Sequence, residues 1–141
     1  MIADPDRVIA QARAWLGTPY AHQASLKGVG CDCLGLVRGV WRELLGPEPI
    51  APGPYTPDWA EAAGRDALTE AARRVLVPLP EIVPGAVLLF RWREGLPAKH
   101  CAIATSPDTM IHAHDGACVC EVALAPFWRR KVSGVFGYPS P

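Results

Sequence analysis

Apolar positions along this chain follow two regimes. Before Pro78 they recur every three or four residues, and after it they crowd into short runs parted by Gly, Pro, Asp or Ser. The first spacing marks one face of a helix; the second, rich in β-branched and aromatic residues, marks strands between turns. Val8, Ala12, Trp15 and Leu16 form the first helical stripe, opened by Asp4-Pro5, a capping residue followed by a proline suited to the first turn. Gly17-Thr18-Pro19-Tyr20 stops that helix, and a loop runs from Ala21 to Gly30. From Cys33 onward Val37, Val40, Trp41 and Leu44 make a second stripe, closed by Gly46-Pro47. The segment PEPIAPGPYTP is too dense in proline for a helix or a central strand. A third helical region starts at Thr56-Pro57, with Leu68, Ala71, Ala72 and Val75 on its face and Gly64 as a break.

Beyond Pro78, VPGAVLLFRW, HCAIAT, TMIHAH and CVCEVAL read as short strands, and SGVFGY as a closing one. Helices first and strands later predict an α+β domain with a small antiparallel sheet. The 141 residues suit a single domain spanning the whole chain, 1–141, and half of them are apolar, enough for a packed core. No internal repeat is visible.

Charge narrows the partners. Fourteen basic and fourteen acidic side chains cancel, so no bulk field draws the chain to nucleic acid or to an anionic membrane. The basic run FWRRK, from Phe127 to Lys131, reads as a short solvated patch. No apolar run is long enough for membrane insertion. The N-terminus, MIADPDRVIAQ, has early charges and no signal-peptide pattern, so synthesis in the cytoplasm without a signal peptide is expected. Five cysteines are an odd number, and cytoplasmic synthesis disfavours structural disulfides.

The chemistry concentrates in GCDCLGLV, where Cys31 and Cys33 flank the start of the second helix. A thiol is a nucleophile as thiolate, and a helix N-terminus or an imidazolium lowers its pKa. The same first-turn amides can donate to a developing oxyanion. A thiolate also needs a base that later acts as acid, and histidine suits that task near neutral pH. The chain offers His22, His100, His112 and His114. His100 opens an apolar strand. His112 and His114 lie two apart on the next one and share a face, so either can orient His100 if the strands pair.

GTPY (17–20), DCLGLV (32–37), PGAVLLF (84–90), HCAIA (100–104) and MIHA (110–113) occur in this order. The set resembles the NlpC-type papain-like cysteine peptidases of bacterial cell walls, above all their phage and gene-transfer-agent tail members. The resemblance implies a papain-like fold in which N-terminal helices, with the catalytic cysteine at a helix N-terminus, pack on the sheet. It makes Cys33 the nucleophile, His100 the general base and His112 the orienting third residue. Tyr20 would line the cleft, and Asp32 would pair with a substrate amine. The implied reaction is hydrolysis of an amide in peptidoglycan stem peptides, commonly between D-glutamate and a diamino acid, with no cofactor. The implied setting is a phage-like tail tip, held by tail or hub proteins and acting in the periplasm or cell wall. Two departures stand out: Leu34 replaces the family's usual serine, and Ala86 the usual aspartate after Pro-Gly.

Two other classes compete. Cys31-x-Cys33, His100-Cys101, His112-x-His114 and Cys118-x-Cys120 supply eight soft or borderline ligands for zinc. Structural zinc pairs, however, are two to four residues apart across a turn, whereas residues i and i+2 on a strand have Cα atoms roughly 6–7 Å apart. No metal is therefore expected. A wall-binding or tail component that kept this fold without turnover is the other alternative, and Leu34 is what suggests it. Cys31 and Cys101 read as packing residues, Trp15 and Trp41 as core.

Overall fold

The computed structural model describes residues 1–50 and 66–141. The start of the third helical region at Thr56, the break at Gly64 and most of the proline-rich connector lie outside them.

Helix α1 spans Pro5–Arg13; the Asp4 side chain accepts from the Asp6 amide at 3.0 Å, and Pro5 occupies the first turn. Val8 and Ala12 are buried, as is Trp15 just past the helix end. Leu16 departs from the predicted stripe and is 42% exposed, because the helix has already ended and the chain turns at Gly17, whose φ is +84°. The expected loop holds a small antiparallel pair, β1 (Ser25–Leu26) and β2 (Gly30–Cys31). Helix α2 follows at once, over Cys33–Leu45, and ends at Gly46 with φ +87°. Its face carries Leu36, Val37, Val40 and Leu44 into the core. Trp15 lies so close over α2 that a Cβ at Gly39 would fall inside the indole. Helix α3 (Ala67–Val75) is capped by Asp66, which accepts from Thr69, and buries Leu68 and Ala72.

The strands are β3 (Val77–Pro78), β4 (Val87–Phe90), β5 (His100–Ser106), β6 (Thr109–Ala113), β7 (Val119–Ala123) and β8 (Val132–Gly137). They form one antiparallel sheet in the order β3-β8-β4-β5-β6-β7. SGVFGY is thus a strand but does not close an edge: β8 lies between β3 and β4, bonded on both sides. A four-residue helix, α4 (Pro126–Arg129), precedes it. The two-residue β3 contains a proline and gave no period-2 signal to read.

Strand alternation divides the core in two. Val87, Leu89, Cys101, Ile103, Ile111 and Ala113 pack with residues of α1, α2 and α3. The alternate positions, Leu88, Phe90, Ala102, Ala104 and Met110, form a smaller cluster on the other face, with Val122 and Trp128 against it.

Candidate active site

Asp32 stands between β2 and α2 and is buried. Its Oδ1 accepts from the Gly35 amide at 2.7 Å, which caps α2, and its Oδ2 accepts from the Gln23 amide at 2.8 Å. The carboxylate therefore ties the loop to the helix start, and His22 Nδ1 lies 3.9 Å from the same Oδ2. Gln23 adopts φ +65°, a left-handed conformation that costs a side-chain-bearing residue energy, so the Asp32 contact helps to hold it. Close approach demands glycine at position 35, since a Cβ there would run into the Ala24 carbonyl. Ser25 Oγ donates to the Gly35 carbonyl at 2.6 Å, adding a second tie.

This framework sets Cys33 in the first turn of α2, half-buried. Its thiol is held well below the ordinary range, first by a hydrogen bond with Cys101 and also by the hydrogen bond and charge of His100. Burial and the Asp32 carboxylate oppose the shift. Cys101 shifts the other way, well above the usual value, because its S–H is retained against Cys33 and is itself buried. Of this pair the thiolate belongs to Cys33, and Cys101 donates. Tyr20 is half-buried beside them; burial, then the Cys33 and Asp32 charges, push its phenol up to about 12, so it stays a donor.

His100 opens β5 opposite Phe90. Its Nε2 lies 2.9 Å from Nδ1 of His112. Burial, followed by the charges of His100 and His114, lowers the His112 pKa to about 4. A neutral His112 has one nitrogen able to accept, and when His100 carries both ring protons as the partner of the Cys33 thiolate its Nε2–H donates to His112 Nδ1. That leaves His100 Nδ1 for Cys33. The structure so brings Cys33, His100 and His112 into one chain of polar contacts. His114, past the end of β6, is exposed, with its ring 5.4 Å from that of His112.

Sequence reasoning missed two kinds of residue here. Cys101, read as packing, faces α2 from β5 and contacts Cys33. The imidazoles also sit among aromatic rings. Trp92 stacks on His100 at 6.3 Å and 16°, with Phe90 at 5.7 Å, while Trp128 lies 5.5 Å from His100 and 5.3 Å from His112. Trp128 belongs to FWRRK, in which Phe127, Arg129 and Arg130 are exposed while the tryptophan turns inward. The one available signal was Pro126, a helix starter immediately before two aromatic residues.

All five cysteines are unpaired with one another as disulfides. Among the described residues no three His, Cys, Asp or Glu side chains gather as a metal ion would need. No helix among them is long and apolar enough to cross a membrane.

No family model matches the chain. It is 27% identical over 129 residues to the γ-DL-glutamyl hydrolase of Bacillus subtilis (strain 168), covering 91% of this chain but only 28% of that protein. In three dimensions it is similar to the NlpC/p60 domain of the peptidoglycan hydrolase SagA, with TM-score 0.67 and 20% identity over 96% of this chain and 99% of that one. An NlpC/p60 family protein from Bacillus cereus ATCC 10987 gives TM-score 0.69 and 20% identity, over 98% of this chain and 41% of that one. The α+β architecture, helices on a small antiparallel sheet, is the NlpC/p60 papain-like fold.

Proposed function

We propose that this protein is a cysteine peptidase that hydrolyses a γ-glutamyl amide in peptidoglycan stem peptides, with Cys33 as nucleophile, His100 as base and His112 as orienting residue. One observation carries the reading: a depressed thiol at a helix N-terminus in contact with an imidazole whose far nitrogen is already hydrogen-bonded. Cys33 Sγ attacks the carbonyl carbon and forms a tetrahedral adduct. The Asp32 side chain and carbonyl take the Gly35 and Leu36 amides, so the Cys33 and Leu34 amides are the first-turn donors for the oxyanion. Leu34 serves there through its backbone, which its side chain does not alter. The His100 imidazolium gives its Nδ1 proton to the departing amine, leaving an acyl-enzyme, then takes a proton from the water that releases the acid.

The bond is supported from two directions. The ordered motifs resemble peptidases that cut between D-glutamate and a diamino acid, and the Bacillus subtilis relative is by name a γ-DL-glutamyl hydrolase. The buried Asp32 with its two backbone donors makes a poor partner for a substrate amine unless the loop at Gln23 yields. Tyr20 keeps the cleft role, as a neutral donor beside the sulfur. Resemblance to tail-associated members supports delivery on a phage-like tail to the periplasmic wall.

Incubation with purified muropeptides tests the reaction. Wild type is expected to release new amines, and Cys33→Ala none. Equal release by the two would refute the thiol mechanism, and no release by either would favour the binding-only reading.

A further inference from the structure

The aromatic rings around the imidazoles have a consequence for the chemistry. Trp128 covers both rings of the hydrogen-bonded pair: tilted by 32° against His100 and edge-on, at 81°, to His112. It is braced in turn by Phe90 at 5.4 Å, Trp92 at 6.1 Å and Phe127 at 5.3 Å. The segment that carries it is anchored: Arg129 Nη2 donates to the Pro107 carbonyl at 3.0 Å and to Asp108 at 3.2 Å. Lys131 Nζ donates to the Trp92 carbonyl at 2.8 Å, which ties the chain just past α4 to the stretch after β4.

An imidazole has a broad, two-fold χ2 preference, and a ring flip would put Cδ2 where Nδ1 stands and Cε1 where Nε2 stands. Flipped, His100 would lose its bond to His112. Rings on several sides of His100 oppose that flip. Trp128 also keeps water from the Nε2–Nδ1 hydrogen bond, which strengthens in low dielectric. Both effects keep the His100 nitrogens facing His112 and Cys33.

We infer that Trp128 is a positioning residue of this site: it holds His100 in the orientation that bonds His112 and meets Cys33, and through that imidazole it supports the Cys33 thiolate. The inference rests on the thiol-enzyme reading above. Trp128 packs on both imidazoles, and its effect on the sulfur runs through His100.

The test is the pH profile of Cys33 alkylation by iodoacetamide, resolved by peptide mass spectrometry from the other cysteines, in the full chain. Wild type, Trp128→Phe and Trp128→Leu are compared, with cooperative melting as the fold check. Loss of the shield is expected to move the midpoint of the leucine variant's alkylation profile up by about one pH unit, so that below both midpoints alkylation falls about ten-fold. Phenylalanine, which keeps a smaller ring, is expected to fall about three-fold. Turnover should follow in kcat, with KM within about two-fold of wild type. Leucine and wild-type profiles that coincide would overturn the inference. Should the leucine variant not melt cooperatively, phenylalanine decides: a shift supports the role, and coincidence with wild type overturns it. An ordinary thiol profile in wild type itself would defeat the thiol-enzyme reading, and this inference with it. An activated wild type with unshifted variants would defeat the inference alone.

Discussion

Cys33 and His100 are held by different means. The sulfur is set by neighbours in sequence: Asp32 caps the helix, Gln23 and Ser25 tie the preceding loop to it, and Gly35 lets that loop close in. These are backbone contacts, satisfied one by one. The imidazole is set by four side chains from three separate segments, Phe90 and Trp92 from one, His112 and Trp128 from the others, through ring packing and one hydrogen bond. Local hydrogen bonds fix a position sharply and fail abruptly when one partner goes. Packing shared among several rings fails gradually. The nucleophile side should therefore be brittle, and the imidazole side graded.

His100→Gln breaks the comparison most severely, because glutamine fits the aromatic surround yet cannot take or give the proton. A loss in kcat on the order of 10³–10⁴ is expected, with melting temperature nearly unchanged. Stopped assays on muropeptides beside a melting curve check both halves of that statement. His112→Gln comes next. Glutamine can still accept from His100 Nε2, so kcat should fall by roughly 10²-fold, less than at position 100.

The same variant exposes a pH dependence of stability. The His112 pKa is lowered from 6.5 to about 4 by burial. Between those values the unfolded chain binds a proton that the folded protein refuses, so stability is fully present above pH 6.5 and falls as pH drops. The full effect is about 3 kcal/mol. Urea melts of wild type at pH 7 and pH 4.5 should differ by more than those of His112→Gln, and parallel pH curves would contradict the burial argument.

The contrast between local and distributed support also explains what the sequence made legible. The helix start at Cys33, the stripe of α2 and the strand runs HCAIAT and TMIHAH are local patterns, and the structure keeps them within a residue or two. Sheet order is not local: nothing in SGVFGY says that it pairs with β4 as well as β3. The same holds for the site. Cys33 and His100 announce themselves through a helix start and a strand start. Trp92 and Trp128 reach His100 only through tertiary packing, and one of them sat inside a run whose charges pointed outward. Cys101 failed for a related reason, since a buried thiol in an apolar strand looks the same whether it packs on leucine or on a thiolate.

The smallest expected effect sharpens the comparison by leaving the site alone. Gly39 lies on the face of α2 that meets Trp15, where a Cβ would overlap the indole. Alanine has the better helix propensity, by about 1 kcal/mol, so in open space the change would stabilise α2. Here the indole is fully buried and the glycine meets ring atoms, not a flexible chain end. Overpacking of this kind costs about 1–3 kcal/mol, which exceeds the propensity gain or cancels it. Gly39→Ala should therefore be mildly destabilised, with a net loss of about 2 kcal/mol at most. Its kcat should match wild type, because the strain falls on the packing between α1 and α2 and not on the Asp32 cap. A variant more stable than wild type would mean that Trp15 can move aside. A kcat loss without a stability loss would mean that Cys33 depends on the whole of α2, and the division between a locally fixed sulfur and a packed imidazole would have to be redrawn.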